Sequence, residues 1–418
     1  MKVAIICSTF LPSHDGVSIT LFERLKKLSE SGHSALCLVS SYSELEDIYP
    51  NWSEYVGCIF DNVEVVPLPS KQWMGVKQER NPTQKSIPII ENALSEFQPD
   101  IIQVEEPERL WTTMFTLPAL SYAKRHNILC IASYRTNFID YVRDYIPRWL
   151  ANLARPALLL LTRWIYNQYS ITLVGSEFVE KRLKSWGINN VNYAPVIGPS
   201  LVENPEIIKC SQFFQDFYDL PGIDNTVKIL FLGRLSPDKN WQFNCKYLPK
   251  LREHLGIKKF TIIIAGRGEL EAFIRSSSLA KHLSPVILGE VSHDKVSQLL
   301  ANVDLHATSS LKETFGRTVQ ESLYVGTPVL APDCDWTRNL ITPNFNGVLY
   351  QPEDGEDFIK KLTELINQPS FLAKLRTNLT SNHNKIPKKN DPAFKWIEYL
   401  CNIIQRKEEL KNEYYSQR

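Results

Sequence analysis

The chain carries almost no net charge. Its 47 lysines and arginines against 46 aspartates and glutamates leave +1 over 418 residues. Such a chain has no global field to hold a polyanion, which argues against a nucleic-acid partner and leaves room only for local basic patches. Cys-x-x-Cys pairs are missing. The eight cysteines (Cys7, Cys37, Cys58, Cys130, Cys210, Cys245, Cys334, Cys401) lie far apart with no histidine cluster beside them. A zinc site is therefore not expected, and most of the cysteines read as small buried apolar residues in a reduced compartment. No apolar run approaches the ~20 residues that a membrane-spanning helix needs. The start, "MKVAIICSTFLP", is apolar only over Val3–Cys7 before polar residues and Pro12, without a small-x-small cleavage pattern, so it reads as a buried strand rather than a signal peptide. The expectation is a cytoplasmic protein, with at most a peripheral hold on the inner face of a membrane. Also absent are a G-x-G-x-x-G fingerprint, which argues against a dinucleotide cofactor, and any short repeat or low-complexity segment. No carboxylate cluster demands a metal.

What the chain does have is a regular alternation. Short β-branched runs ("KVAIIC", "SALCLV", "VEVVPL", "DIIQVE", "ILCIAS", "ITLVGS") alternate with amphipathic stretches such as 19–31 and 178–186. The second half repeats the pattern with "VKILFLG", "FTIIIAG", "PVILGE", "DLHATSS" and "PVLAP". Continuous apolar strands separated by helices imply parallel sheets covered on both faces, an α/β architecture. At 418 residues two domains are expected. Proline, glycine and polar residues interrupt the alternation over 195–226, dividing the chain into doubly wound domains at 1–200 and 201–391, followed by a helical, charged tail from 392 to 418. Ligands of such sheets bind beyond the carboxyl ends of the strands, so the cleft between two of them is the expected site.

Four strand-end loops hold candidate chemistry. In "TFLPSHDGVSITLFERL", Gly16 lies where a first helix begins, and its backbone could approach a phosphate at the helix N-terminus or simply make a turn. In "LFLGRLSPDKNW", Arg234 and Lys239 leave a strand five residues apart. Two fixed cations there suit a diphosphate, although a solvated surface pair has the same spacing. In "AGRGELEAF", Gly266 and Gly268 flank a strand-to-helix turn. The fourth loop, "ETFGRTVQE", sets Glu313 and Glu321 eight positions apart. On one continuous helix they would point about 80° apart. The other possibility puts Glu313 in a loop and Glu321 a turn into the following helix, which Gly326 stops. Gly316 would mark that helix entrance, leaving amides near 315–318 to face an anion.

"GRLSPDKN", "AGRG", "ETFGRTVQESLYVGTPVLAP" and "NGVLYQPED" resemble the retaining glycosyltransferases of family four. "HDGVSITLFERLKKLSESGHSALCLV", "QPDIIQVEEP" and "ASYRTNFIDYVRDY" extend the resemblance through the N-terminal half. The run 313–332 with its E-x7-E arrangement is the specific part. The resemblance implies the GT-B fold, two Rossmann-like domains facing across a cleft, with the C-terminal helix returning to the first. It implies transfer of a sugar from a nucleotide-diphosphate sugar to a lipid, glycan or other hydroxyl acceptor with retained configuration, and no metal, since arginine and lysine supply the positive charge. Carried onto this chain, Glu321 would hold the ribose hydroxyls, and Glu313 the donor sugar, with amides of Phe315 and Gly316 nearby. Arg234 and Lys239 would neutralise the diphosphate, and Gly16 would close on it. Backbone around Gly289–Ser292, including Val291, would meet the base. Gly266 and Arg317 complete the donor-binding set.

The chain departs from the family at Arg135 in "ASYRTNF", where histidine is common. Arginine stays protonated and cannot act as a base. Arg135 is expected to stabilise leaving-group charge; the alternatives are selection of an anionic substrate, lost activity, or a structural pair with a carboxylate such as Asp140. Asp15 stands where a second glycine is frequent, "PVIGPS" (195–200) lacks the usual Arg-Gly-Val-Asp-like sequence, and "APDCDWTRNLI" lacks paired glycines. Two other functions remain open: a catalytically impaired nucleotide-sugar-binding protein, and a sugar-nucleotide epimerase. The intact E-x7-E and Arg/Lys pair favour transfer. Two segments bear on membrane contact. "RWLANLARPALLLLTRWIYNQY" (148–169), with Arg148, Arg155 and Arg163, could lie in a lipid interface, but packing on the first sheet or lining an acceptor groove is the simpler reading. "SKQWMGVKQER" (70–80) reads as a basic loop, mobile beside the acceptor or merely on the surface.

Overall fold

A computed structural model describes residues 1–418 except 14, 74, 138, 141–146, 195–208, 256–259, 383–391 and 417–418. The expected "PVIGPS" departure and the first part of the interdomain break lie outside the described residues. The chain forms two compact units, Met1–Ser200 with Lys389–Arg418, and Leu201–Lys388.

The first unit is built on β1 (Lys2–Cys7), β2 (Ser34–Ser40), β3 (Gly57–Phe60), β4 (Val63–Leu68), β7 (Ile101–Glu105), β8 (Leu129–Tyr134), β9 (Ile171–Val174) and β10 (Val191–Tyr193). They pair in the order β10-β9-β8-β7-β1-β2-β4-β3, parallel throughout except for the edge strand β3. Val3–Cys7 are all buried, because helices cover both faces of the sheet. After β1 the chain winds one way through β2 and β4, then returns to the other side of β1 with β7. The order reverses between β1 and β7, which opens a crevice at their carboxyl ends.

Between β4 and β7 lies a two-stranded antiparallel hairpin, β5 (Ser70–Trp73) and β6 (Val76–Pro82). This corrects the loop expected over 70–80. The segment has no apolar alternation; tertiary contacts hold it. Asn81 Nδ2 donates to the Arg109 carbonyl at 2.7 Å, Trp73 Nε1 donates to Thr112 Oγ1 at 3.0 Å, and the Arg109 guanidinium lies 4.4 Å from the centre of the Trp73 ring. Four of the eight cysteines are buried and Cys58 and Cys401 are exposed, fewer buried than the sequence suggested.

The tail is a helix, Pro392–Ser416, packed on α1 (Gly16–Glu30). Trp396, Ile397 and Leu400 join Leu21, Leu25 and Leu28 in one core. Trp396 is fully buried. Its Nε1 donates to Gln103 Oε1 at 3.0 Å, and the Arg24 guanidinium lies 4.7 Å from its ring centre.

The second unit is a six-stranded parallel sheet, ordered β13-β12-β11-β14-β15-β16. Its strands are β11 (Val227–Leu232), β12 (Phe260–Ala265), β13 (Val286–Gly289), β14 (Leu305–Ala307), β15 (Val329–Pro332) and β16 (Gly347–Tyr350). Here the order reverses between β11 and β14. The loops after these two strands carry "GRLSPDKN" and "SSLKETFG", so the topology brings the quoted motifs to one crevice. Among the described residues, no helix is long and apolar enough to cross a membrane.

Trp396 tests whether the tail is part of the first core. Removing a buried Trp side chain costs about 3–5 kcal/mol, so Trp396→Ala is expected to lower unfolding stability by that amount in urea titrations. A loss under about 1 kcal/mol, the range of surface changes, would show that the helix is dispensable packing.

Candidate active site

β11 ends at Leu232 and Gly233 turns the chain. The segment Pro237–Lys239 then forms one short 3-10 turn that Asn240 closes in the left-handed region. This turn fixes three charged side chains. Lys239 Nζ lies 2.5 Å from Glu313 Oε1 and 3.4 Å from Asp238 Oδ2, and Arg234 Nη2 lies 3.6 Å from the same Asp238 oxygen. Asp238 is buried, and Ser236 Oγ donates to its Oδ1 at 2.5 Å. Burial alone would raise the Asp238 carboxyl, but Arg234 and Lys239 outweigh it and hold the group well below the usual carboxylate range. Burial disfavours charge on Lys239, yet Glu313 and Asp238 more than compensate and hold its ammonium above the ordinary lysine value. The loop therefore presents two permanently charged cations braced by one buried carboxylate. Asp238 was quoted in the sequence but not singled out; a carboxylate four residues after Arg234 and one before Lys239 was the available signal.

The loop after β14 brings in Glu313. Ser309 Oγ donates to the Lys239 carbonyl at 3.1 Å, which ties the two loops together. Glu313 is in irregular backbone, and Glu321 lies inside the helix Arg317–Tyr324, so the two carboxylates are not on one helix. Gly316 caps that helix at φ 66°, and a Cβ there would sit 2.5 Å from the Trp336 ring. Only glycine meets both conditions. Glu321 is buried, and Arg317 Nε donates to its Oε1 at 2.7 Å. These two expected ligand-binding residues hold each other in place. Phe315 contributes its carbonyl to Gln320 Nε2 at 2.8 Å. Beneath the helix, fully buried His306 links it to the sheet: Nδ1 is 3.1 Å from the Leu230 carbonyl and Nε2 is 3.3 Å from Thr318 Oγ1. Burial lowers its pKa to about 4, so it is neutral here, with Nδ1 as donor.

Gly266 has a packing reason of its own. At φ 136° it lies against the Gly233 carbonyl, 1.9 Å from where a Cβ would be, and its amide donates to the Gly289 carbonyl at 2.6 Å. The loops after β11, β12 and β13 thus meet backbone to backbone. Val291, just beyond β13, turns its side chain into a small apolar cluster.

The first unit presents a second charged crevice at the β1/β7 reversal. Gly16 starts α1 and is exposed, but Asp15 caps that helix: its Oδ1 accepts from the Val17 and Ser18 amides at 2.8 and 3.0 Å. An outside anion there must displace Asp15 or use the Gly16 amide, which narrows the phosphate-binding role expected of this turn. Arg135 follows β8 with its side chain 7% exposed, and its Nε lies 3.8 Å from Glu105 Oε2. The anticipated Asp140 partner is instead engaged by Arg182 and by Asn137 Nδ2 at 2.8 Å. Glu105 lies between two arginines, since Arg24 Nη1 is 3.2 Å from its Oε1. Glu106, buried at φ 52°, follows directly, and burial raises its pKa. Neither glutamate is a candidate from sequence, although two adjacent carboxylates at the end of the apolar run "DIIQVE" are an available signal. Among the described residues, no group of histidine, cysteine and carboxylate side chains could hold a metal.

Known proteins resemble this chain in family and in fold. A family model described as glycosyl transferases group 1 matches residues 217–385, and one described as glycosyltransferase family 4 matches residues 14–195. The chain is 24% identical over 363 residues to a GDP-mannose-dependent alpha-mannosyltransferase of Mycobacterium tuberculosis, covering 84% of this chain and 83% of that protein. It is 25% identical over 362 residues to alpha-monoglucosyldiacylglycerol synthase of Streptococcus pneumoniae, covering 84% and 76%. Among solved structures, sucrose-phosphate synthase of Thermosynechococcus elongatus matches with a TM-score of 0.76 at 14% identity, over 97% of this chain and all of that one. The two doubly wound sheets and the structural neighbours give the GT-B fold. The chain belongs to the family 4, group 1 glycosyltransferases.

Glu108, next to the Glu106 turn, gives the pH dependence a definite sign. It is buried, Tyr166 donates its phenol to Oε2, and burial with the neighbouring Glu106 pushes its pKa from 4.5 to about 8. The native state therefore keeps a proton that the unfolded state has lost. Between about pH 4.5 and 8 this group makes stability fall as pH rises, by up to about 1.4 kcal/mol per unit. Glu108→Gln is expected to flatten that decline in unfolding measured from pH 5 to 8. An unchanged slope would mean that Glu108 is ionised in the native state.

Proposed function

We propose that the protein transfers a sugar from a nucleotide-diphosphate sugar to a hydroxyl of a lipid or glycan, with retention of configuration. The observation that carries this is the Lys239–Glu313 pair braced by Asp238 and Arg234 at the β11/β14 reversal. A diphosphate leaving group gains charge as it departs, and preorganised cations stabilise that charge without reorganising. In this reading Lys239 exchanges its contact with Glu313 for a phosphate oxygen, which leaves Glu313 to accept hydrogen bonds from the donor sugar. Glu321, oriented by Arg317, accepts from the ribose hydroxyls. The amides of Phe315 and Gly316 face the phosphates, and backbone around Val291 faces the base. The positive charge of Arg234 and Lys239 stands where other transferases would need a metal. Arg135, on the first unit, supplies a further cation and hydrogen-bond donor.

The relatives named above include an enzyme named for GDP-mannose and one named for a glucosylated diacylglycerol, which supports both a nucleotide-sugar donor and a lipid-type acceptor. The helix Arg148–Tyr166 fits such an acceptor. It buries Ile165 and Tyr166 and leaves Trp149, Leu153, Leu160 and Trp164 exposed, so only part of its apolar surface is used in packing. That remainder is suited to peripheral contact with a membrane.

Two measurements test the reading. Thermal unfolding with UDP, GDP and ADP should show one diphosphate stabilising the protein by about 2.7 kcal/mol at one hundred times its Kd, and Glu321→Ala should abolish the shift. Turnover of the matching sugar nucleotide should then fall about 10²–10³-fold in Lys239→Ala, the usual cost of removing one preorganised donor. Arg135→Ala should also lower kcat/KM, and an unchanged value would exclude its role. Nucleotide binding without turnover of any sugar would favour the catalytically impaired alternative.

A further inference from the structure

On the first unit, the carboxyl ends of β2 and β4 border a pocket of about 780 Å³. Ser41 follows β2, Ser70 and Lys71 open β5, Arg80 comes from β6, and Lys85 and Phe115 close the sides. The β5–β6 hairpin forms part of its wall. Neighbouring strands of a sheet lie about 4.8 Å apart. The ends of β2 and β4 are one and two strands from β1, so they lie roughly 5–10 Å from the end of β1 along the sheet edge.

Its charge is one-sided. Three cations line it against one carboxylate, Glu44. That carboxylate is already engaged by Arg80 Nη2, which also donates to the Ser70 carbonyl at 2.7 Å. Arg80 is 4% exposed, and its Nε has no hydrogen-bond partner among the described residues. Lys71 and Lys85 are exposed, and neither forms an ion pair among the described residues. Two unpaired ammonium groups beside a guanidinium fixed by Glu44 and the Ser70 carbonyl call for an anion with several acceptor oxygens.

One wall of the same pocket is apolar and leads away from it. Phe115 is 59% exposed, and its ring centre lies 5.7 Å from that of Trp111, which in turn lies 6.5 Å from that of Trp164. Trp164 belongs to the helix Arg148–Tyr166, where Trp149, Leu153, Leu160 and Trp164 recur at spacings that place them on one face. An exposed apolar strip therefore starts at a cationic pocket and continues along a helix. Exposed patches of this kind mark binding surfaces.

We propose that this pocket and strip are the acceptor site for a membrane phospholipid with an anionic headgroup. The headgroup phosphate meets Lys71, Lys85 and Arg80, the serine hydroxyls around it accept and donate to headgroup hydroxyls, and the acyl chains leave along Phe115 and Trp164 toward the bilayer. The acceptor role rests on the transferase reading above. The choice of an anionic phospholipid rests on the pocket itself.

The test uses the full chain in flotation with vesicles of phosphatidylcholine, with and without phosphatidylglycerol. Nucleoside-diphosphate stabilisation is read on the same samples. Wild type is expected to prefer the anionic vesicles, and Lys71→Ala with Lys85→Ala to weaken that binding by about thirtyfold, from the usual contribution of a lysine at an anionic surface. Phe115→Ser should weaken binding to both vesicle types. Both lysines and Phe115 are exposed, so these variants should fold, and their nucleotide shift should equal that of wild type. Equal binding of wild type to both vesicle types, or an undiminished preference in the double lysine variant, would overturn the proposal. Displacement from vesicles by equimolar sn-glycerol 3-phosphate would overturn the lipid assignment in favour of a soluble phosphate. Absence of any nucleotide shift in wild type would overturn the transferase reading and the acceptor role with it. A shift retained alongside failed vesicle selectivity would overturn this inference alone.

Discussion

Parallel pairing of β11 with β14 is the constraint on which the second unit depends. These strands are separated in sequence by two others, and they become neighbours only because the chain reverses its winding direction at β11. Parallel strands end on the same edge, so the loops that leave β11 and β14 must share a crevice. Within it the Lys239 ammonium lies between Glu313 and Asp238. The opposite charges around them hold the Asp238 carboxyl down and the Lys239 ammonium up despite burial. The geometry that brings the loops together also sets the charge state of the site.

The first unit follows the same topological rule with a different electrostatic outcome. At the β1/β7 reversal the carboxylates are buried, and the arginines are placed to offset them. Arg24 and Arg135 flank Glu105, while Gln103 bridges it to Trp396. Taking charges out of water is costly unless each is paired and hydrogen-bonded. Part of the tail helix is therefore held by the network behind Glu105 as well as by apolar packing. The C-terminal segment and the end of β7 are coupled although about 290 residues separate Gln103 from Trp396.

Legibility from sequence followed physical type. The long apolar strands were readable because strands buried on both faces must be apolar throughout, and ten of the eleven quoted runs became strands within one or two residues; "DLHATSS" shrank to Leu305–Ala307. The strands that were not named as such, β3, β5, β6, β10 and β16, are short, at an edge or held by side chains from elsewhere. The β5–β6 hairpin looked like a basic loop because its stability comes from Arg109, Thr112 and the Asn81 amide, none of which leaves a periodic trace. Glu313, Arg234 and Lys239 could be named from their motifs. That Asp238 braces both cations, or that Asp15 fills the helix end beside Gly16, depended on where single oxygen atoms lie.

The sequence by itself determined the α/β class, the positions of most core strands, the charged loop motifs and the glycine that enters the 317–324 helix. Each of these is local: periodicity, a strand buried on both faces, or a residue type that alone tolerates its backbone angle. Only the tertiary structure decided which charges meet. It paired Arg135 with Glu105 rather than Asp140, brought Lys239 to Glu313, and set Lys71, Lys85 and Arg80 around one pocket. The two ion pairs join residues tens of positions apart in the chain. They depend on strand order and on the last few ångströms of side-chain placement, which no local pattern in a chain encodes.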